Sequence, residues 1–309
     1  MSFPAFAIIG LHRLRSLLHV PLVGATRSYG IGYLPDRRVV RLAQRDSREF
    51  WASTTIQEGS LASSRGPQLD QNQCGSCTGH GTAQAVFTSA AAAGHPMDKF
   101  PSPWACYGTV RELELTDSSQ ALTDSGAMPS DLITVATKWG FMPIGYGMTP
   151  ALPPTPDGYY SDCWSGNVND KPSLLQLEQS AMRLDFTAIR VDETAVDFGA
   201  QISAAIENKS AGGVGIFVDT TNFMQWDPSS GPINTINTAD PNGGGHWLEF
   251  DYTYMLNGQQ IVGGDNSWGL WNPPSGAVSS PFWKPGGWEM TLACLRQVCS
   301  DCLVFQVAP

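Results

Sequence analysis

The residues best able to do chemistry lie in two stretches far apart in the chain. The first is Gln71-Asn72-Gln73-Cys74-Gly75-Ser76-Cys77-Thr78, and the second spans Gly243-Gly244-Gly245-His246 to Asp265-Asn266-Ser267-Trp268-Gly269. A cysteine becomes an effective nucleophile when its thiolate is stabilised. The N–H groups and positive dipole end of a helix N-terminus do this, and a neighbouring imidazolium adds to it. Cys77 is placed for the first effect: the alanine-rich run after it predicts a helix over 75–93, ended by Gly94, His95 and Pro96. Gln71 lies upstream, where its amide could reach back and, with the Cys77 backbone N–H, make a two-donor oxyanion hole. Taken alone, Cys-Gly-Ser-Cys reads equally well as a buried or disulfide-bonded cysteine.

The downstream stretch shifts that balance. His246 opens a strand-like run, Asn257-Gly258 marks a turn, and the next strand-like run ends at Asn266. The pattern predicts a β-hairpin with His246 and Asn266 facing each other across the pair. An asparagine accepting from one imidazole nitrogen fixes the tautomer and leaves the other nitrogen for a thiol. A lone histidine is more often structural; the combination with Cys77 and Asn266 points to nucleophilic catalysis. His80 is the rival base, on roughly the Cys77 face of the helix. It has no partner at an obvious spacing, and a helix N-terminus disfavours its protonated form, so it reads as structural.

These residues need two halves to bring them together. The chain has 309 residues with 42% hydrophobic content, enough to bury a large core in one domain or two lobes sharing a cleft. Only 15% of residues are charged, while 32 Gly and 22 Pro favour a loop-rich globule. Further helices are predicted from Pro129 or Ser130 to about 139 and near 199–208, with a loop over 143–172. Strands are predicted in GGVGIFV, HWLEFDYTYML and QQIVGGD. The division is 1–60 as an N-terminal extension, prosegment or arm, 61–190 as a helix-rich lobe with the nucleophile, and 191–309 as a β-rich lobe with His246 and Asn266.

The net charge of -10 excludes a nucleic-acid binder in the ordinary sense, because phosphate contacts need a cationic surface. No span approaches the length of a membrane helix. Near the N-terminus the arginines follow the first apolar run instead of preceding it, and Pro21 breaks the second, so a structured or disposable extension is expected, with a cleaved secretory signal as the alternative. Seven cysteines leave six besides Cys77. The grouping of Cys294, Cys299 and Cys302 is a weak zinc signal without a second pair or a nearby histidine, and no metal or cofactor is expected.

Four separated motifs together resemble the papain family of cysteine peptidases: Gln71 before Cys77, Cys-Gly-Ser-Cys, Gly-Gly-His and Asn-Ser-Trp-Gly. Gly-Ser-Cys-Thr, Ser102-Pro-Trp-Ala-Cys-Tyr107, Asp124-Ser-Gly-Ala127 and the Gly32-Tyr-Leu-Pro-Asp36 arm are similar to a bacterial and phage-associated branch. The resemblance implies an α+β, papain-like two-lobe fold, with a helical first lobe, a β-rich, barrel-like second lobe and the cleft between them. It implies Cys77 as nucleophile, His246 as base and acid, Asn266 orienting His246, and Gln71 in the oxyanion hole. Trp268 would shelter the His246–Asn266 bond. Gly75, Ser76, Gly126, Ala127, Met128 and Gly245 would meet substrate, with Ser125 where the family has a glycine. It also suggests Cys106 as a disulfide partner for Cys74.

Departures from the family are Thr78 in place of an aromatic residue and long spacings from Cys77 to His246 and Asn266, which imply inserted loops; 220–243 is the candidate beside the cleft. The implied partner is a protein or peptide substrate, with autoinhibition by the N-terminal segment a further expectation. Two alternatives stay open: a catalytically silent or latent protein with a binding or virion-assembly role, and a thiol amidase acting on cell-wall peptides.

Overall fold

The computed structural model describes residues 56–113, 124, 126–138, 140–143, 160–161 and 182–308. Residues 1–55 of the expected 1–60 extension, Ser125, Cys163 and most of the 143–172 loop lie outside these residues. Among the described residues of the first half there are three α-helices: α1 Cys77–Ala92, α2 Pro103–Leu113 and α3 Pro129–Lys138. A fourth, α4 Phe198–Glu207, precedes the strands of the second half, and α5 Leu292–Val298 interrupts them. Thr291 caps α5 by accepting from the Cys294 N–H.

The strands form two four-stranded antiparallel sheets and one short parallel pair. One sheet runs β1 (Gly59–Ser60), β7 (Tyr252–Leu256), β8 (Gln259–Asp265), β9 (Gly287–Thr291). The other runs β4 (Phe186–Arg190), β10 (Cys299–Val307), β5 (Gly212–Val218), β6 (Gly244–Phe250). Among the described residues the sheets stay open and do not close into a barrel. Leu69–Asp70 (β2) and Tyr160–Ser161 (β3) make the parallel pair.

The expected hairpin is real but does not carry His246. Asn257 and Gly258, both at positive φ, turn β7 into β8. The long strand-like run containing His246 breaks at Asp251, so β6 pairs with β5 in the other sheet, His246 opposite Ile216. The break has a physical cause: Asp251 is fully buried and accepts two hydrogen bonds from the Arg65 side chain, both 2.6 Å. A strand running straight through would carry that carboxylate away from its partner.

A continuous apolar core joins the two halves, including Val86 and Val110 from the helices and Trp247, Leu248 and Leu303 from the sheets. α1 lies directly against β6. At Gly81 a Cβ would stand 2.7 Å from the Trp247 ring, so a glycine is needed for this approach. β10 carries Cys299 and Cys302 through a bulge between Cys299 and Asp301. Burial raises the pKa of both thiols, and no group of described residues is arranged to hold a metal. No helix among the described residues is long and apolar enough to cross a membrane.

Candidate active site

The two chemical motifs are stitched together by backbone. The Gln71 N–H donates to Ser267 O at 2.7 Å, the Gly269 N–H donates to Leu69 O at 2.8 Å, and Asp70 bridges Trp268. Side chains continue the seam: Gln68 Nε2 donates to Asn266 O, and Ser267 Oγ donates to Gln71 Oε1. The segment leading to Cys77 therefore lies against the segment carrying Asn266. Ser267 was not among the expected site residues; its place in Asn-Ser-Trp-Gly was the only signal for it.

Gln71 is fully buried, and its amide is oriented at both ends. With Oε1 taken by Ser267, Nε2 points the other way and donates to Cys74 O at 2.7 Å, toward the loop before Cys77. Cys77 begins α1, where helix geometry gives its N–H no intrahelical acceptor. Thr78, the departure from an aromatic residue, donates from Oγ1 to Ala127 O at 3.2 Å. It thus ties the first turn of α1 to the opposite wall.

That wall is held by an acid. Asp124 accepts from the Gly75 N–H at 2.9 Å and from the Tyr107 hydroxyl at 2.6 Å. Tyr107 in turn accepts from the Gly126 N–H, and Arg111 donates to Gly126 O at 2.9 Å. Both backbone polar groups of Gly126 thus bond within the protein. Ala127 is buried and Met128 half-buried beside it. The structure does not form the suggested Cys74–Cys106 disulfide; neither residue is bridged, and Cys74 Sγ lies 3.7 Å from Asp124 Oδ1.

His246 and Asn266 meet as expected, though from different sheets. His246 Nε2 and Asn266 Oδ1 are 2.8 Å apart. Because the amide oxygen can only accept, Nε2 carries the proton and Nδ1 is the basic nitrogen; it makes no hydrogen bond among the described residues. Trp268 stacks on the imidazole with ring centres 4.4 Å apart. Phe223, not anticipated from the sequence, approaches both rings edge-on. It comes from the loop after β5, which Asp219 organises by accepting from the Asn222, Phe223 and Asn237 N–H groups. The candidate insertion over 220–243 therefore does reach the site.

Cys77 and His246 are both fully buried. Burial lowers the His246 pKa to about 4, the Asn266 bond pulling it up and nearby His80 pushing it down. His80 itself is engaged within its own helix, where Nδ1 bonds Ser76 O at 2.9 Å. Below Asn266 sits a second buried group. Arg65 bonds Asp251 and pairs with Asp265 at 2.8 Å, while Glu249 accepts from the Asp265 N–H. Burial, and then Asp251, raise the pKa of Glu249 well above the usual carboxylate range.

No family model and no curated protein matches the sequence. Solved structures do match. Xylellain, a cysteine protease from Xylella fastidiosa, is 20% identical with a TM-score of 0.62, covering 94% of this chain and all of its own. Procathepsin L2 from the larval midgut of Tenebrio molitor is 16% identical at 0.57, covering 91% and 78%. Procathepsin B S9 from Trypanosoma congolense is 12% identical at 0.56, covering 91% and 86%. At these identities the likeness establishes the fold: an α+β, papain-like two-lobe architecture.

Proposed function

We propose that the chain is a cysteine endopeptidase. The observation that carries this reading is the His246–Asn266 hydrogen bond beneath Trp268, joined through the 69–71 and 267–269 seam to the loop that ends in Cys77. His246 Nδ1 takes the Cys77 proton, and the thiolate at the helix N-terminus attacks the peptide carbonyl carbon. Asn266 holds the imidazole in the tautomer this requires. The Cys77 N–H and Gln71 Nε2 receive the developing oxyanion. The imidazolium then protonates the leaving amine, and water hydrolyses the thioester with His246 again as base.

Gly75, Ser76 and Gly245 line the approach to the thiol, and Gly126, Ala127 and Met128 form the facing wall. The Gly126 N–H and C=O are tied to Tyr107 and Arg111, so a substrate strand pairing there competes with or shares those bonds. The likeness of Gly-Ser-Cys-Thr to a phage-associated branch belongs to this reading. The test is covalent: an epoxide thiol inactivator labels the active chain once, at Cys77, and Cys77→Ala abolishes labelling and peptide cleavage together. Cleavage that survives Cys77→Ala sinks the proposal.

The complete burial of Cys77 and His246 favours a second reading, in which this is a latent form that opens before substrate enters. Labelling rates before and after removal of residues 1–60 test it. Equal rates exclude latency through that segment.

A further inference from the structure

Asn266 spends only one end of its amide on His246. Oδ1 accepts from the imidazole, while Nδ2 is buried and makes no hydrogen bond among the described residues. Behind it is a small cavity bounded by His80, Gln84, Glu249, Asp265 and Asn266, with about 10 Å³ of room for the centre of a water-sized sphere. That is close to the space one water needs. Among the other lining residues, Gln84 Oε1 and Glu249 Oε1 are buried and make no hydrogen bond among the described residues; Gln84 is 2% exposed and Glu249 is not exposed at all.

The neighbours fix what these atoms offer. Gln84 Nε2 donates to Asp265 Oδ2 at 2.9 Å, which leaves Oε1 as an acceptor. Asp265 is held by Arg65, and its N–H occupies Glu249 Oε2, leaving Oε1.

We propose that this cavity binds one water that links Asn266 Nδ2 to Gln84 and Glu249, making those two side chains positioning residues for the Asn266–His246 pair. The water accepts from Asn266 Nδ2 and donates to Gln84 Oε1. It accepts from the Glu249 carboxyl when that group is protonated and donates to it when ionised, so one molecule satisfies all three atoms in either state. An asparagine amide can turn over about its own axis, which would set NH₂ against the imidazole N–H. Acceptors on the Nδ2 side disfavour that flip and keep Oδ1 on His246.

The inference rests on the thiol–imidazole reading of the site, and the experiment separates the two. On the full chain, the pH dependence of Cys77 alkylation by iodoacetamide is measured for wild type, Gln84→Met, Glu249→Met and Glu249→Gln. Gln84→Met and Glu249→Met lower alkylation at pH 5–6 about tenfold, whereas Glu249→Gln, which keeps polar atoms, stays within about threefold of wild type. Wild-type profiles in both methionine variants, whatever their melting temperatures, overturn the proposal. A high-resolution structure of the wild-type chain decides the matter if the variants do not fold: density for a water within hydrogen-bond distance of the three atoms supports it, and a dry cavity refutes it. A wild type with no imidazole-linked limb of thiol reactivity refutes the thiol–imidazole reading itself, and the density result still reports on the water.

Discussion

Two buried polar groups flank the peptide between Asp265 and Asn266, and they are built on opposite plans. His246 and Asn266 share a single neutral hydrogen bond, with Trp268 stacked over the imidazole and Phe223 at its edge. Arg65, by contrast, binds Asp251 and Asp265 with Glu249 close by, a guanidinium locked among acids. On the peptidase reading proposed above, the first pair has to gain and lose a proton, and a neutral aromatic setting leaves it free to do so. The second fixes backbone: it ties the segment before Cys77 to Asp251 at the strand break and to the end of β8. On that reading, a clamp beside a titrating pair separates holding from reacting.

The largest test of this division is Arg65→Met. It leaves buried carboxylates without their cation, and breaking such a pair costs about 4 kcal/mol. Urea unfolding should show that loss. A change below about 1 kcal/mol would mean that the acids become protonated at no cost and the clamp is not electrostatic.

The imidazole gives the next largest effect. His246 titrates near 4 in the fold against an ordinary 6.5, because burial disfavours its charge. Between those values the unfolded chain holds a proton that the folded chain lacks, so this group's contribution falls as pH drops from 6.5 to 4 and is level below. The shift corresponds to about 3 kcal/mol. Glu249 runs the other way: its raised pKa means the folded chain binds the extra proton, which offsets the loss. Subtracting the stability curve of His246→Gln from that of wild type isolates the imidazole. The difference should change by about 3 kcal/mol over that range; a flat difference would show a solvated histidine.

Asn266→Ala tests the reacting side directly. Loss of the tautomer-fixing acceptor should lower kcat about 10²-fold, or about 2.7 kcal/mol of transition-state stabilisation, with KM little changed. An equal rise in KM would assign Asn266 to substrate binding.

How much of this was legible depended on whether the cause was local. Cys77 at a helix start and Asn257-Gly258 as a turn follow from neighbouring residues, and both appear as read. The His246–Asn266 meeting was legible from motif, but its scaffold was not: the break at Asp251 depends on Arg65, 186 residues away, and alternation alone reads through it. β10 is not foreseen from the sequence, because Ser300 and Asp301 interrupt its apolar run and a bulge between Cys299 and Asp301 takes up the irregularity. α2 was not expected either, since Gly108 in its middle weakens the helix signal, although Pro103 stands at the first helical position, where proline is favoured.

Phe223 gives the smallest effect and the finest distinction. It is buried, stacks on Trp271 with centres 5.1 Å apart, and meets Trp268 edge-on at 5.8 Å. Phe223→Leu keeps the site apolar but removes the aromatic edge, worth about 1 kcal/mol in stability. If the aromatic wall serves only to keep the His246–Asn266 bond dry, kcat should stay within about threefold while the unfolding midpoint falls. A tenfold loss in kcat at unchanged KM would instead mean that Phe223 sets the tilt of Trp268 over the imidazole. The neutral setting would then be a positioning device, as the Arg65 clamp is, and the division between the two buried groups would be one of charge alone.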